Sequence, residues 1–170
     1  MSMPEKLVRA FNDQISLELA SSNAYLQKAA FLENAALPGM AAWMRIQADE
    51  ERAHGIRFFE FMVEREAEIE IQALPAPQMA FESLVDVFEA SLAQERAVTA
   101  SIHNLYALAQ SEPDFASLPM LNWFITEQVE EESAVSQIID DLRRVADDGA
   151  ALLLMDRELG ARVAEPPADA

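Results

Sequence analysis

The sequence predicts an all-α protein: a four-helix bundle with one long crossover between its second and third helices, and a short fifth helix at its end. Three observations carry that expectation. Apolar residues recur at three- and four-residue spacing almost throughout, and no stretch alternates as a half-buried strand does. Only four glycines punctuate 170 residues, so long helices have few places to break. One connection, "AEIEIQALPAPQM" from Ala67 to Met79, is far longer than the others.

The first helix is expected from about Pro4 to Glu33 and the second from about Pro38 to Glu66. Each opens on a proline, which suits a first turn whose N–H would lack a helical partner anyway. The third is expected from about Gln78 to Gln110. The fourth runs from about Ser117, a capping residue followed by Pro119, to Ala146. Gly149 stops it, and the fifth spans about Ala150 to Arg162. Residues 1–163 thus read as one domain, and the tail 164–170, "AEPPADA", as disordered. Short links make the first and second helices antiparallel, and likewise the third and fourth. The crossover of about 13 residues reaches ~43 Å when extended, and a helix of about 28 residues is ~42 Å long. It can therefore return the chain to the far end of the bundle and set the second and third helices parallel.

Composition limits the partners. With 30 Asp+Glu against 12 Lys+Arg, a net charge of −18 should repel nucleic acid and anionic membrane and attract cations. The absence of cysteine removes disulfides and thiolate metal sites. "MSMPEKLVRAFND" offers no apolar signal region, and the run "AALLLM" is far too short to span a bilayer. A cytoplasmic protein is expected.

The apolar stripes carry the chemistry. The first helix reads Phe11, Ile15, Glu18, Ser22, Tyr25; the second Trp43, Gln47, Glu50 and Glu51, His54, Phe58. The third reads Phe81, Phe88, Leu92, Glu95, Val98, Ile102; the fourth Phe124, Gln128, Glu131, Val135, Ile138. Each stripe is interrupted by an acid near its midpoint: Glu18 lies 14 residues after Pro4, Glu51 13 after Pro38, Glu95 17 after Gln78 and Glu131 14 after Ser117. Midpoints coincide in a bundle whichever way each helix points, so the four acids should meet in one layer.

Singly, each acid has a plain explanation, since a glutamate at a core edge reaches out to water and a histidine on an apolar face is usually a core residue. Jointly that explanation fails. Four unpaired carboxylates in one apolar layer would cost several kcal/mol each to desolvate and would repel one another. No Lys or Arg interrupts the stripes near the layer, so the compensating cation is not expected to be a side chain. Carboxylate oxygens with one imidazole favour a divalent ion such as Fe(II), Mn(II) or Zn(II). Four carboxylates with a neutral His54 carry a charge matching two such ions, and a central carboxylate can bridge a pair.

The glutamate of the first helix, the "EERAH" Glu-x-x-His of the second, "LAQERA" on the third and "TEQVEEE" after "NWF" on the fourth together resemble the prokaryotic non-haem ferritins. The likeness runs from the first helix through the fifth, making 1–163 a ferritin-like di-iron domain. The fourth helix offers Gln128, Glu130 and Glu131 with no histidine after His103, unlike bacterioferritins and rubrerythrins. Arg52 stands where bacterioferritins carry their haem-ligating methionine, so no haem is expected.

The resemblance implies one iron held by Glu18, Glu51 and His54 and a second held by Glu51, Glu95 and Glu131, with Glu51 bridging and Gln128 beside the pair. Glu50, Glu127 and Glu130 match positions that form a third iron site in the family; read from the sequence alone, they equally suit a solvated helix face. Tyr25 matches a tyrosine that donates an electron during dioxygen reduction, against the plain reading of a buried, hydrogen-bonded phenol. Trp123 reads as packing and His103 as structural. The implied function is ferroxidation of Fe(II) by dioxygen or peroxide, with storage of the ferric mineral in a homo-oligomeric shell of twenty-four subunits. Two rivals share parts of the pattern. A di-iron oxidase or peroxidase without a storage role would have the same ligands, and a helical interaction module would need the acids at its surface.

Overall fold

The computed structural model describes residues 3–145 and 147–163. Within them five helices follow one another: α1 (Glu5–Asn34), α2 (Pro38–Glu64), α3 (Leu84–Ser111), α4 (Leu118–Val145) and α5 (Gly149–Gly160). Ala146, the expected end of the fourth helix, and the tail 164–170 lie outside the described residues. Among the described residues no helix is long and apolar enough to cross a membrane.

Helix directions follow from cross-helix pairs. Ser22 on α1 donates to the Ala48 carbonyl on α2, Tyr25 and Gln14 on α1 meet Glu95 and Ser101 on α3, and Gln47 on α2 meets Glu131 on α4. His54 then meets Trp123 and Phe124 of α4, so numbers rise on one helix as they fall on the other. α1 and α4 are therefore parallel to each other and antiparallel to α2 and α3, as a full-length crossover requires. The crossover lies along α1. Asn12 donates to the Glu68 carbonyl at 3.0 Å and accepts from the Glu70 amide at 2.8 Å, while Phe81 packs against Phe31 near the other end of α1 with ring centroids 5.3 Å apart.

α5 ends at Gly160 rather than Arg162, and two other boundaries differ from expectation for a local reason. α3 begins at Leu84 rather than Gln78, because Ser83 is extended and its hydroxyl accepts the Asp86 amide at 3.1 Å while Asp86 accepts the Glu82 amide at 2.9 Å. Asp86 thus reaches back past the N-cap to the residue before it, a variation on the capping box, and the cap leaves Phe81 on the crossover rather than on the third stripe. α2 stops at Glu64 because Glu66 takes a left-handed φ of 52°, with the Ala67 amide donating to the Met62 carbonyl at 3.0 Å. Ala36, at φ 58°, closes α1 in the same way through Leu37 N–H to the Leu32 carbonyl.

The apolar interior falls into two clusters. One contains Tyr25, Leu32, Trp43, Met44, Phe88 and Ile138; the other contains Leu7, Phe11, Phe58, Ile102, Leu121 and Phe124. The polar layer lies between them.

Candidate metal centre

Measured from the observed helix starts, Glu18 lies 13 residues into α1 (18−5), Glu51 13 into α2 (51−38), Glu95 11 into α3 (95−84) and Glu131 13 into α4 (131−118). The later start of α3 brings its acid closer to the common register than the sequence alone suggested. All four are buried, and Glu18 and Glu95 have no exposed surface. A surface-acid interaction module is thereby excluded.

Glu18, Glu51 and His54 each present a ligand atom within 4.8 Å of the other two. Glu18 Oε2, Glu51 Oε2 and His54 Nδ1 are buried without a hydrogen-bond partner, and Nδ1 lies 3.7 Å from Glu51 Oε2. Leaving one buried polar group unsatisfied costs about 1–3 kcal/mol. Three that converge on one point make a cation site, and the donor set of two carboxylate oxygens and an imidazole nitrogen suits Fe(II). Neighbours fix the other atoms. Gln14 Nε2 donates to Glu18 Oε1 at 2.8 Å, and the imidazole sits edge-on against Trp123 and Phe124 with centroids 5.6 and 5.4 Å away.

Glu95 on α3 and Glu131 on α4 lie near enough to repel the Glu51 carboxylate, but fall outside the group of three whose ligand atoms converge. The Tyr25 hydroxyl donates to Glu95 Oε1, and Gln128 Nε2 donates to Glu95 Oε2 at 3.3 Å. Gln47 Nε2 donates to Glu131 Oε2 at 2.7 Å. Burial pushes the Glu18 and Glu51 carboxyls above the ordinary carboxylate range, Glu51 well above it, with Glu95 and Glu18 adding repulsion at Glu51. Burial, followed by the neighbouring Glu95, raises Glu131 to about 8. The Tyr25 phenol is likewise raised well above 10, by burial first and then by Glu95.

A basic side chain from outside the stripes does approach the layer. Lys28, three residues beyond Tyr25 on α1, is 3% exposed, with its ammonium 4.5 Å from the Tyr25 ring centroid. It donates to Gln94 Oε1 at 2.9 Å, and burial lowers it to about 8. Its hydrogen bond thus goes to an amide, and the three orphaned ligand atoms remain unpartnered. The acids matched to a third site are placed differently from the layer. Glu50 is partly buried and paired with Arg162 at 2.9 Å, Glu127 is partly buried with its charge felt at Arg57, and Glu130 is exposed. Arg57 itself lies over the Trp123 ring at 3.9 Å. His103 is exposed on α3, away from the layer, and Arg52 is exposed on α2.

The sequence profile of the ferritin-like domain matches residues 8–145. The chain belongs to that family. It is 39% identical over 160 residues to the bacterial non-heme ferritins of Staphylococcus haemolyticus (strain JCSC1435) and Staphylococcus aureus (strain USA300), covering 94% of this chain and 96% of each relative. Among solved structures, a humanized archaeal ferritin superposes with a TM-score of 0.95 at 39% identity, covering 97% of this chain and 100% of that one. An open pore ferritin from the hyperthermophilic archaeon Archaeoglobus fulgidus gives a TM-score of 0.93 at 38% identity, over 95% of this chain and 100% of that one.

In this ferritin-like chain four residues that shape the layer escaped the sequence reading. Gln47 stood on the second stripe as a polar interruption, which was a signal available to be used. Gln14 lies one turn before Glu18, where a glutamine among buried positions is a comparable signal. Lys28 and Arg162 gave none, because a basic residue at a helix edge reads as solvated until the fold shows what covers it.

Proposed function

We propose that the protein is an iron-storage ferritin of the cytoplasm that oxidises Fe(II) with dioxygen or peroxide at a dinuclear site in each subunit. The ferric mineral is kept inside a homo-oligomeric shell of twenty-four subunits. The observation that carries this reading is the buried convergence of three unpartnered ligand atoms, from Glu18, Glu51 and His54, between two apolar clusters. One substrate iron is held by these residues and a second by Glu51, Glu95 and Glu131, with Glu51 between them. Gln128 and Gln47 orient Glu95 and Glu131. No haem takes part.

Oxygen-rich ligands favour Fe(III) over Fe(II), so the site drives oxidation. Two Fe(II) ions give up one electron each, and dioxygen takes the pair with two protons to leave as hydrogen peroxide. Where peroxide is the oxidant and is reduced to two waters, two electrons and two protons are needed; a single Fe(II) supplies one electron, and Tyr25, hydrogen-bonded to Glu95, is placed to supply the other while its phenolic proton passes to that carboxylate. Leu153 and Leu154, 54% and 59% exposed on α5, are apolar surface suited to burial against other subunits.

Size-exclusion chromatography after aerobic Fe(II) addition tests the reading. The chain should elute far above its 18.9 kDa subunit mass, with iron in the same fractions. Oxidation without retained iron would instead identify an oxidase with no storage role, and an iron-free monomer would remove both readings. We further propose that Glu50, Glu127 and Glu130 form a third iron site beside the pair. Glu130→Ala should then leave the first oxidation unchanged and slow later turnovers by roughly tenfold, the scale of losing an outer partner of a metal site. Superimposable multi-turnover traces would return the run to a solvated face.

A further inference from the structure

We propose that Arg162, on the segment that follows α5, is a positioning residue for the dinuclear layer: it locks the Gln47 amide so that Gln47 must present its N–H to Glu131. The inference rests on the metal-binding reading above and adds a residue that lies far from the layer in sequence.

The Arg162 fork makes two kinds of contact. Nη1 donates to Gln47 Oε1, and Nη2 donates to both oxygens of Glu50, at 3.1 and 2.9 Å. Its guanidinium carbon lies 5.3 Å from the centroid of the buried Trp43 ring, which holds the fork from a third direction. A guanidinium has donors only. The amide oxygen of Gln47 must therefore face Arg162, and its NH₂ is left to face Glu131, where the donation is 2.7 Å. Without Arg162 the amide is free to turn over and present its oxygen to the carboxylate. With it, Glu131 Oε2 is engaged and the other oxygen remains for metal.

Arg162 reaches this place because α5 docks against the start of α2 with no room to spare. A methyl group on Gly39 would lie 1.8 Å from the Asp156 carbonyl oxygen, and one on Gly160 would lie 2.8 Å from Gly39 Cα. Backbone meets backbone at both points, so neither clash relaxes by a side-chain rotation. Asp156 Oδ1 also accepts the Met40 amide at 2.8 Å, satisfying an N–H that the first turn of α2 leaves open. The docking of α5, the Arg162 fork, the Gln47 amide and Glu131 form one continuous relay.

Calorimetric titration of the assembled protein with redox-inert Zn(II) tests the relay. Wild type should take up two ions per subunit in the layer. Arg162→Met should retain the first, at Glu18, Glu51 and His54, and weaken the second about tenfold. Arg162→Lys should lose as much, because one ammonium cannot span Gln47 and Glu50 in fork geometry. A role through charge alone predicts the opposite pattern: tighter second binding in Arg162→Met and wild-type binding in Arg162→Lys. Either result would overturn the proposal. Gln47→Leu should reproduce the loss, and adding Arg162→Met to it should cost nothing further, since both act through one amide. Additive losses would overturn it too. If Arg162→Met fails to assemble, Gln47→Leu alone decides: unchanged second binding ends the proposal. A wild type that takes up no Zn(II) in the layer would instead dispose of the metal site itself, and this inference with it.

Discussion

Glu18→Ala and His54→Ala should each slow the first oxidation of Fe(II) by at least ~100-fold while leaving the helical content and assembly size unchanged. Removing an outer partner of a metal ligand costs about 10–100-fold in affinity or activity, and these two residues supply ligand atoms directly. The fold survives because what each side chain contributes in the metal-free state is small and local. Glu18 is buried with one unpartnered oxygen, and His54 Nδ1 has no hydrogen-bond partner. Glu18→Ala leaves Gln14 Nε2 without its acceptor, and His54→Ala opens a space beside Trp123 and Phe124. These are local costs of about 1–3 kcal/mol, within the range a folded domain absorbs. Stopped-flow absorbance of Fe(III) formation, beside circular dichroism and size-exclusion profiles, separates the two effects. Wild-type rates in both variants would remove these residues from the site. The double variant should be little worse than either single one, because one iron position is already lost.

The burial of the four acids was legible because it rests on period and midpoint, both properties of the sequence. Glu18, Glu51, His54, Glu95 and Glu131 each fall on an apolar face, and all are buried where the helices cross their common midpoint. The crossover was legible from its length. The start of α3 was not, because "SLVD" reads as part of a longer helix until the Ser83 and Asp86 caps are seen to close it. The ends of α1 and α2 turn on left-handed Ala36 and Glu66, residues that give no glycine signal for that conformation. Lys28 and Arg162 mark the deeper limit. Their roles depend on which helix covers them, and the contact between Arg162 and Gln47 joins positions 115 residues apart. Periodicity reports which face of a helix is buried, whereas it takes tertiary packing to say what a long basic side chain reaches. Glu50 shows the same limit from the other side, since a stripe reading does not show that an arginine reaches it.

In the metal-free protein, stability should fall as pH rises from the ordinary carboxylate range toward about 8, and divalent metal should reverse the fall. Burial raises Glu18, Glu51 and Glu131, the last to about 8. Between their unfolded values near 4.5 and these raised values, the folded state therefore holds more protons than the unfolded chain. Stability then decreases with pH across that window. Below it both states are protonated, and the penalty is absent. Zn(II) displaces the protons, so its addition should acidify a weakly buffered solution and stabilise the folded state by linkage, by ~2.7 kcal/mol at a hundred times its dissociation constant. Glu51→Met isolates the cause. Methionine is unbranched and packs in the space of a glutamate, and Glu51 Oε2 has no hydrogen-bond partner to strand. At pH 7.5 the variant should be more stable than wild type without metal, by ~1–3 kcal/mol, since a buried, repelled carboxylate gives way to a packed apolar group. Its stability should also depend less on pH, and Zn(II) should release fewer protons from it and stabilise it little. Urea midpoints across pH 5 to 8, with pH-stat titration of released protons, measure all four quantities. A metal-free Glu51→Met that proved markedly less stable than wild type would mean that the acid is compensated within the protein, and the case for a cation at the centre of the layer would fail.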